Sequence, residues 1–323
     1  MPDEESTEPT IERVLVIMAH PDDVDFGSAG TVATWTDAGL EVTYCLVTSG
    51  DAGGSDLTQS YEDRASLREA EQTNAAAEVG VTDLRFLRLP DGRLEYDLDL
   101  RKAITRVIRQ VRPHRVLTQS SERNVDRIYA SHPDHLAVGQ AAIAAVYPDA
   151  RNPFAFPELL ANEELEPWTV PEVWTQGGPE IPEHARVVVD ITDTFDRKVA
   201  ALRAHVSQTG GREGLADFLR EWAVDNARIG GLPEGRLAEV YRRIDTQVGQ
   251  PPVQGPSPQT SMRVPSFTKL TRSARADVSS PRSPWGSSPP RFGVLVSGGV
   301  GVPKSHTKSA EPVVGSSGNG AMP

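Results

Sequence analysis

An α/β fold is what this sequence predicts: a Rossmann-like, mostly parallel sheet flanked by helices, in a single domain. Three observations lead there. Short apolar runs alternate with stretches of helical spacing from residue 13 to about residue 148. The runs tend to close on polar, proline or glycine turn signals. The first of them, Val14 to Ala19, is apolar without alternation, as a strand buried on both faces is. Repeated β-α units of this kind imply right-handed crossovers and helices on both faces of the sheet.

The elements follow in order. Val14–Met18 reads as the first strand, and Ser28–Ala38 as a helix opening on Phe26-Gly27-Ser28. Glu41–Val47, rich in β-branched residues, is the second strand and runs into the turn residues Ser49 to Gly54. Tyr61–Val79 is a helix of good formers with an apolar stripe at Ala65, Leu67, Ala70 and Ala75–Ala77. Leu84–Leu89 is a strand closed by Pro90-Asp91-Gly92. Leu98–Val111 is a helix with Leu100, Ile104, Ile108 and Val111 at helical spacing. Arg115–Thr118 is a short strand and Leu136–Val146 a helix. Val170–Thr175 and Arg186–Ile191 are two further strands, and Phe195–Ser207 and Leu215–Ala227 two further helices, completing the sheet's far edge and one wall of a cleft.

Composition bounds the function. The net charge of −12 is uneven: residues 248–323 carry eight Lys/Arg against two acids, a net of +6, which leaves −18 on the first 247. An acidic body excludes nucleic acid as the main partner, because phosphate binding needs a basic face. Cys45 is the only cysteine, so no internal disulfide forms, in keeping with a reducing compartment. The N-terminus is acidic and has no apolar signal segment, and no run approaches the ~18 apolar residues of a membrane span. A cytoplasmic protein is expected. Residues 1–11 read as a flexible N-terminus and 12–247 as the folded domain. In 248–323 about half the residues are Gly, Pro or Ser, so a disordered basic tail is expected.

The chemistry sits at two places. The first strand ends abruptly in His20, Asp22 and Asp23, and strand carboxyl ends are where open α/β sheets bind ligands. The second cluster, Ser131-His132-Pro133-Asp134-His135, follows another predicted strand. With Pro133 at the first helical position, His132 and His135 face the same way. A catalytic metal wants three N and O ligands and one open position. His20, Asp23 and one histidine of the second cluster supply that set. Asp22 then stays free to take a proton from a water whose pKa the metal lowers from ~15.7 to about 7. The remaining histidine is left to face the developing oxyanion or protonate the leaving nitrogen.

Taken together, Ala19-His-Pro-Asp-Asp23 and His132-Pro-Asp-His135 resemble the motifs of the LmbE/PIG-L family of zinc-dependent deacetylases. Further likeness lies in Val47–Gly54, Arg68-Glu-Ala-Glu-Gln72, Leu89–Leu94 and Asp190–Lys198, so that residues 12 to 246 are covered. The resemblance is to actinobacterial members, similar to deacetylases and amidases of a thiol-cofactor pathway. It implies a hydrolase that removes acetyl from an N-acetylglucosaminyl amide. It also implies Zn2+, or Fe2+ in its place, held by His20, Asp23 and His135. Asp22 is implied as general base, His132 as oxyanion stabiliser or acid, and Asp134 as the residue tuning His132. Arg68 and Asp91 are implied to touch the sugar. One departure stands out: where many family members carry Glu after the Asp pair, this chain has Val24, then Asp25.

Two other readings are available to the sequence. One is an amidase of a larger thiol-cofactor conjugate; the other is a non-catalytic adaptor using the basic tail for partners. The remaining histidines are expected to be structural: His114 and His184 in surface turns, and His205 packing or hydrogen-bonding on a helix. Gly27-Ser-Ala-Gly30 lacks the G-x-G-x-x-G spacing of a dinucleotide loop, so its glycines are expected to serve close backbone approach.

Overall fold

The protein is described by a computed structural model covering residues 11–246, apart from 55, 179 and 211. The flexible N-terminus and the tail at 248–323 expected above lie outside the described residues. Strands β1 (Arg13–Met18), β2 (Glu41–Thr48), β3 (Asp83–Leu89), β4 (Arg115–Gln119), β5 (Glu172–Gln176), β6 (Arg186–Asp190) and β7 (Ala238–Asp245) form one sheet, in the order β3-β2-β1-β4-β5-β7-β6. Pairing is parallel from β3 through to β5, and antiparallel only where β7 joins β5 and β6. The helices are α1 (Asp23–Gly27), α2 (Ala29–Asp37), α3 (Tyr61–Glu78), α4 (Leu98–Val111), α5 (Pro133–Ala144), α6 (Pro157–Glu163), α7 (Phe195–Ala204), α8 (Val206–Thr209) and α9 (Leu215–Ile229).

Period two in β1 puts its side chains on both faces of the sheet. Val14, Val16 and Met18 pack with α2 and α3 through Val32, Ala33, Ala75 and Ala76. Leu15, Ile17 and Ala19 pack on the other side with Ile104 and Ile108 of α4 and with Ala137, Val138 and Ala141 of α5. A strand covered on both faces has no room for a polar position, which is why its apolar run does not alternate.

Three departures from the sequence reading have local causes. The predicted helix Phe195–Ser207 breaks between Ala204 and Val206, at His205 (φ −82°, ψ 64°), into α7 and α8. The helix read as Leu136–Val146 extends back to Pro133, the start that a common facing of His132 and His135 requires, with His132 as its cap. Strand β7 and helix α6 went unread. In β7 the charged residues Glu239, Arg242, Arg243 and Asp245 interrupt the apolar pattern. Glu239 is nonetheless 3% exposed, its charge met by the Lys198 ammonium at 2.6 Å and by the N–H of Thr31 at 2.7 Å. The same carboxylate accepts from the N–H of Gly30 at 3.2 Å, so the start of α2 already holds an anion from within the protein.

The sheet order places a topological switch at β1, which pairs with β2 on one side and β4 on the other. The crevice beyond the carboxyl ends of β1 and β4 is where such folds bind ligands. Helix α5 is held tightly there, because a Cβ on Gly139 would lie 2.5 Å from the carbonyl oxygen of Gln119 and 2.7 Å from Ser120 carbonyl atoms. Backbone cannot yield as a flexible side chain does. Gly139→Ala should therefore destabilise the protein by about 1–3 kcal/mol from overpacking, which outweighs the ~1 kcal/mol gain in helix propensity. A thermal melt with an unchanged or raised midpoint would contradict this.

Candidate active site

His20 follows β1 directly, and its imidazole is used on both sides. Nε2 lies 3.0 Å from Asp91 Oδ1 and 3.2 Å from Asp134 Oδ2. Nδ1 lies 3.3 Å from Asp23 Oδ2 and 3.3 Å from His135 Nε2. His135 Nε2 in turn lies 3.1 Å from Asp23 Oδ1. Asp23 Oδ2 accepts from the N–H of His20 at 2.8 Å and from Gln119 Nε2 at 2.9 Å. Gln119, at the end of β4, also accepts from the N–H of Ala19 at 3.1 Å and so ties the two strand ends together.

The carboxylates behind Nε2 are engaged elsewhere. Asp134, fully buried, accepts from the N–H groups of Gly92 at 2.7 Å and Leu94 at 3.2 Å. Asp91 accepts from the N–H of Ala52 at 2.9 Å. Two carboxylates at Nε2 fix a proton there and leave Nδ1 as the lone pair of the neutral ring. The resemblance implied that Asp134 tunes His132; its carboxylate reaches His20, while its backbone N–H donates to His132 Nδ1 at 3.2 Å and its charge acts to raise the His132 pKa. That bond leaves the proton of a neutral His132 on Nε2. The His132 ring stands edge-on to His20 with centroids 5.0 Å apart, and 5.3 Å from His135.

Asp22 takes a left-handed backbone conformation (φ 86°, ψ −25°), which costs a non-glycine residue ~1–3 kcal/mol. Its surroundings maintain it. Its N–H donates to Gln72 Oε1 at 2.8 Å, and its carboxylate accepts from Arg68 at 3.2 Å. Arg68 is 4% exposed and also clasps the carbonyls of Pro21 at 2.7 Å and Gly50 at 3.0 Å. It therefore lies beneath Asp22 rather than at the open face. Gln72 passes the support inward, donating to Asp25 Oδ2 at 2.9 Å, which lies 2.7 Å from His205 Nε2. Val24 is fully buried in the core, and the adjacent carboxylate, Asp25, is fully buried against His205. His205 thus hydrogen-bonds, as expected, but behind Asp22. Gln72 and Gln119 were missed in the sequence. Gln72 stands one helical turn from Arg68, and Gln119 at a strand end, and both placements were readable.

Electrostatics separate the two aspartates. Burial and the charge of Asp23 push the Asp22 carboxyl up to about 7, against the lowering pull of Arg68, His205 and His20. Burial would raise Asp23 too, but the charges of His135 and His20 and their hydrogen bonds hold it well below the usual carboxylate range. Burial lowers His20, yet Asp23's charge and the hydrogen bonds from Asp134, Asp23 and Asp91 carry it up to about 12. The place between His20, Asp23 and His135 is built for a positive charge. Two ring nitrogens facing each other and one carboxylate form a donor set that fits a divalent cation. Among the described residues, two triads of side chains have donor atoms mutually within 4.8 Å: His20 with His132 and His135, and His20 with Asp91 and Asp134. The first shares His20 and His135 with the set above and has His132 in place of Asp23; Asp23 and His135 line the open cavity.

Residues 15–146 match the family described as PIG-L: GlcNAc-PI de-N-acetylase. Over 223 residues the chain is 35% identical to "Probable N-acetyl-alpha-D-glucosaminyl L-malate deacetylase 2" of Bacillus subtilis (strain 168), covering 68% of this chain and 91% of that protein. The chain belongs to the PIG-L family. A second relative, diacetylchitobiose deacetylase of Thermococcus kodakarensis, is 34% identical over 198 residues, 61% of this chain and 70% of that one. Among solved structures, N,N'-diacetylchitobiose deacetylase from Pyrococcus horikoshii superposes with a TM-score of 0.66 at 29% identity, over 73% of this chain and 84% of that chain. A hydratase, GalB of Pseudomonas putida KT2440, shares the fold at 21% identity and a TM-score of 0.59. The fold by itself therefore does not select the reaction; the side chains at the crevice must. No helix among the described residues is long and apolar enough to cross a membrane.

Proposed function

We propose that this protein is a metal-dependent deacetylase that hydrolyses the amide of an N-acetylglucosaminyl-type substrate, with Zn2+ held by His20, Asp23 and His135. The observation that carries it is the convergence of His20 Nδ1, Asp23 Oδ1 and His135 Nε2 beside a second buried carboxylate, Asp22, that is no part of the set. The relatives above, named as deacetylases of N-acetylglucosaminyl malate and diacetylchitobiose, support the substrate class. Bound there, Zn2+ supplies Lewis acidity, which polarises an amide carbonyl and brings water's pKa from ~15.7 to about 7.

The chain's own groups do the rest. Asp22, buried and outside the ligand set, accepts a proton from the attacking water and returns it to the leaving nitrogen. His132, with Nδ1 taken by the Asp134 N–H, presents Nε2–H to the developing oxyanion. Burial and the neighbouring charges of His20 and His135 lower its pKa, which keeps it a neutral donor. Asp91 and Asp134 orient His20, and Gln119 orients Asp23. Arg68 supports Asp22 from below, and Asp91 sits where the Ala52 turn meets the site. Two nitrogens and a carboxylate suit Fe2+ as well as Zn2+. Anaerobic purification, metal quantification and a screen of N-acyl amino sugars for released amine test the proposal. Bound metal with amine release is expected; full turnover by metal-free protein would overturn it.

Gln72 yields a separate expectation. Gln72→Met keeps the volume but removes the bond to the Asp22 N–H, worth ~1–3 kcal/mol when buried, so kcat should fall by about tenfold or more. Metal content should not change. A wild-type kcat would show that Asp22 needs no such support.

A further inference from the structure

We propose that the crevice continues into a second subsite that takes an apolar, negatively charged substituent carried by the amino-sugar substrate. This deepens the deacetylase reading and rests on it. A cavity of about 1010 Å³ opens from Asp23, His135 and Gln119 and runs out to helix α9. That volume is at the upper end of the ~300–1,000 Å³ typical of small-molecule sites.

Helix α9 has two apolar faces. Leu215, Leu219, Ala223 and Ala227 are buried, as a surface helix requires. Phe218, Trp222 and Ile229 lie on the adjoining face and line the cavity, with Phe218 44% and Ile229 54% exposed. Phe26 of α1 faces the same space. Trp222 and Phe26 pack in part on the core around Leu215, Leu219 and Ala223, whereas Phe218 and Ile229 leave apolar surface open to the crevice, as is expected where a ligand covers it.

Charge selects the ligand further. Arg127, Arg186 and Arg212 line the cavity, and among the described residues none of them forms an ion pair. Arg186 is held by the carbonyls of Ile181 at 2.9 Å and Ile229 at 3.3 Å, Arg127 by the Tyr129 hydroxyl at 2.7 Å, and Arg212 lies 4.7 Å over the Phe218 ring. Among the described residues, Glu180 is the one acid on the wall besides Asp23. Three unneutralised guanidiniums beside an aromatic stripe, in a strongly acidic body, complement a carboxylate or phosphate on an apolar framework. The substituent can be carried on the glycosidic oxygen or on the acyl group.

The full-length, metal-loaded enzyme is assayed for released amine on four compounds: methyl, phenyl and 4-carboxyphenyl N-acetylglucosaminides, and methyl N-(4-carboxybenzoyl)glucosaminide. One of the two carboxylated compounds should exceed the methyl glycoside by ~10-fold or more in kcat/KM, mainly through KM, and which one it is tells where the substituent is carried. Phe218→Ser and Arg212→Gln, both on exposed positions, should each lower that ratio. Independently of turnover, the Asp22→Asn protein should bind the favoured carboxylated compound more tightly than methyl N-acetylglucosaminide by calorimetry. Hydrolysis of the methyl glycoside with no preference for either carboxylated compound overturns the subsite and leaves the deacetylase reading intact. Preferential binding that depends on Phe218 and Arg212, with no hydrolysis of any compound, overturns the deacetylase reading and keeps the subsite. Failure of both carboxylated compounds to exceed the phenyl glycoside overturns the anionic half.

Discussion

Asp22→Asn is expected to lower kcat by about 10²–10⁴-fold, the usual contribution of a positioned base, while the protein stays folded and metal-loaded. The substitution keeps shape and hydrogen-bonding size but removes the proton acceptor. The proposed ligand atoms, on His20, Asp23 and His135, are untouched. The residue's left-handed backbone is held through its own N–H by Gln72, a bond that the new amide side chain does not disturb. Steady-state kinetics beside metal analysis checks this, and full activity in the Asp22→Asn variant would remove Asp22 from the base role. The pH profile gives a second reading. Only ionised Asp22 accepts a proton, so kcat/KM should rise with pH through the carboxyl's pKa, which burial and Asp23 raise to about 7 in the metal-free protein. A cation beside it favours the ionised form and moves the acid limb lower. Replacing Arg68 by Met removes a lowering charge, so the limb should move the other way, to higher pH.

Loss of both metal and turnover is expected of His135→Ala. His135 contributes one of the three converging donors, and with two left the site has too few ligands for a catalytic metal. The comparison with Gln119→Ala sets the scale. Gln119 orients Asp23 without being a ligand, and removing such a partner weakens metal binding about 10–100-fold, so His135→Ala should exceed that. Because the His135 side chain is 19% exposed, its removal opens no sealed core void, and the variant should melt close to the metal-free wild type. Metal retained at wild-type stoichiometry in His135→Ala would refute its assignment as a ligand.

How much of this was legible in the sequence varies by residue. His20, Asp22 and Asp23 were legible because a buried strand has a recognisable apolar run, and whatever follows it must emerge at the sheet's edge. His132 and His135 were legible because Pro133 sets the helix start, with His132 capping it, and spacing i, i+3 keeps the rings together. Asp134 shows the limit. The family resemblance implied that it tunes His132, and its backbone N–H does reach that ring, but the buried start of α5 aims the carboxylate across the crevice to His20. Strand β7 shows another. Its charges interrupt the apolar pattern, yet Glu239 is buried because Lys198, from a helix 41 residues earlier in the chain, neutralises it.

By itself the sequence determined the layered α/β architecture, the strand ends that carry the chemistry and the types of donor available. Those properties come from periodicity and local backbone geometry, which act over a few residues. The tertiary structure alone decided which nitrogen of His20 faces which carboxylate, that Gln72, Asp25 and His205 brace Asp22, and that α9 turns a second apolar face to the crevice. Each of these depends on groups brought together from distant parts of the chain. A carboxylate's or imidazole's role is set by the burial and the charges around it, and only the fold supplies those.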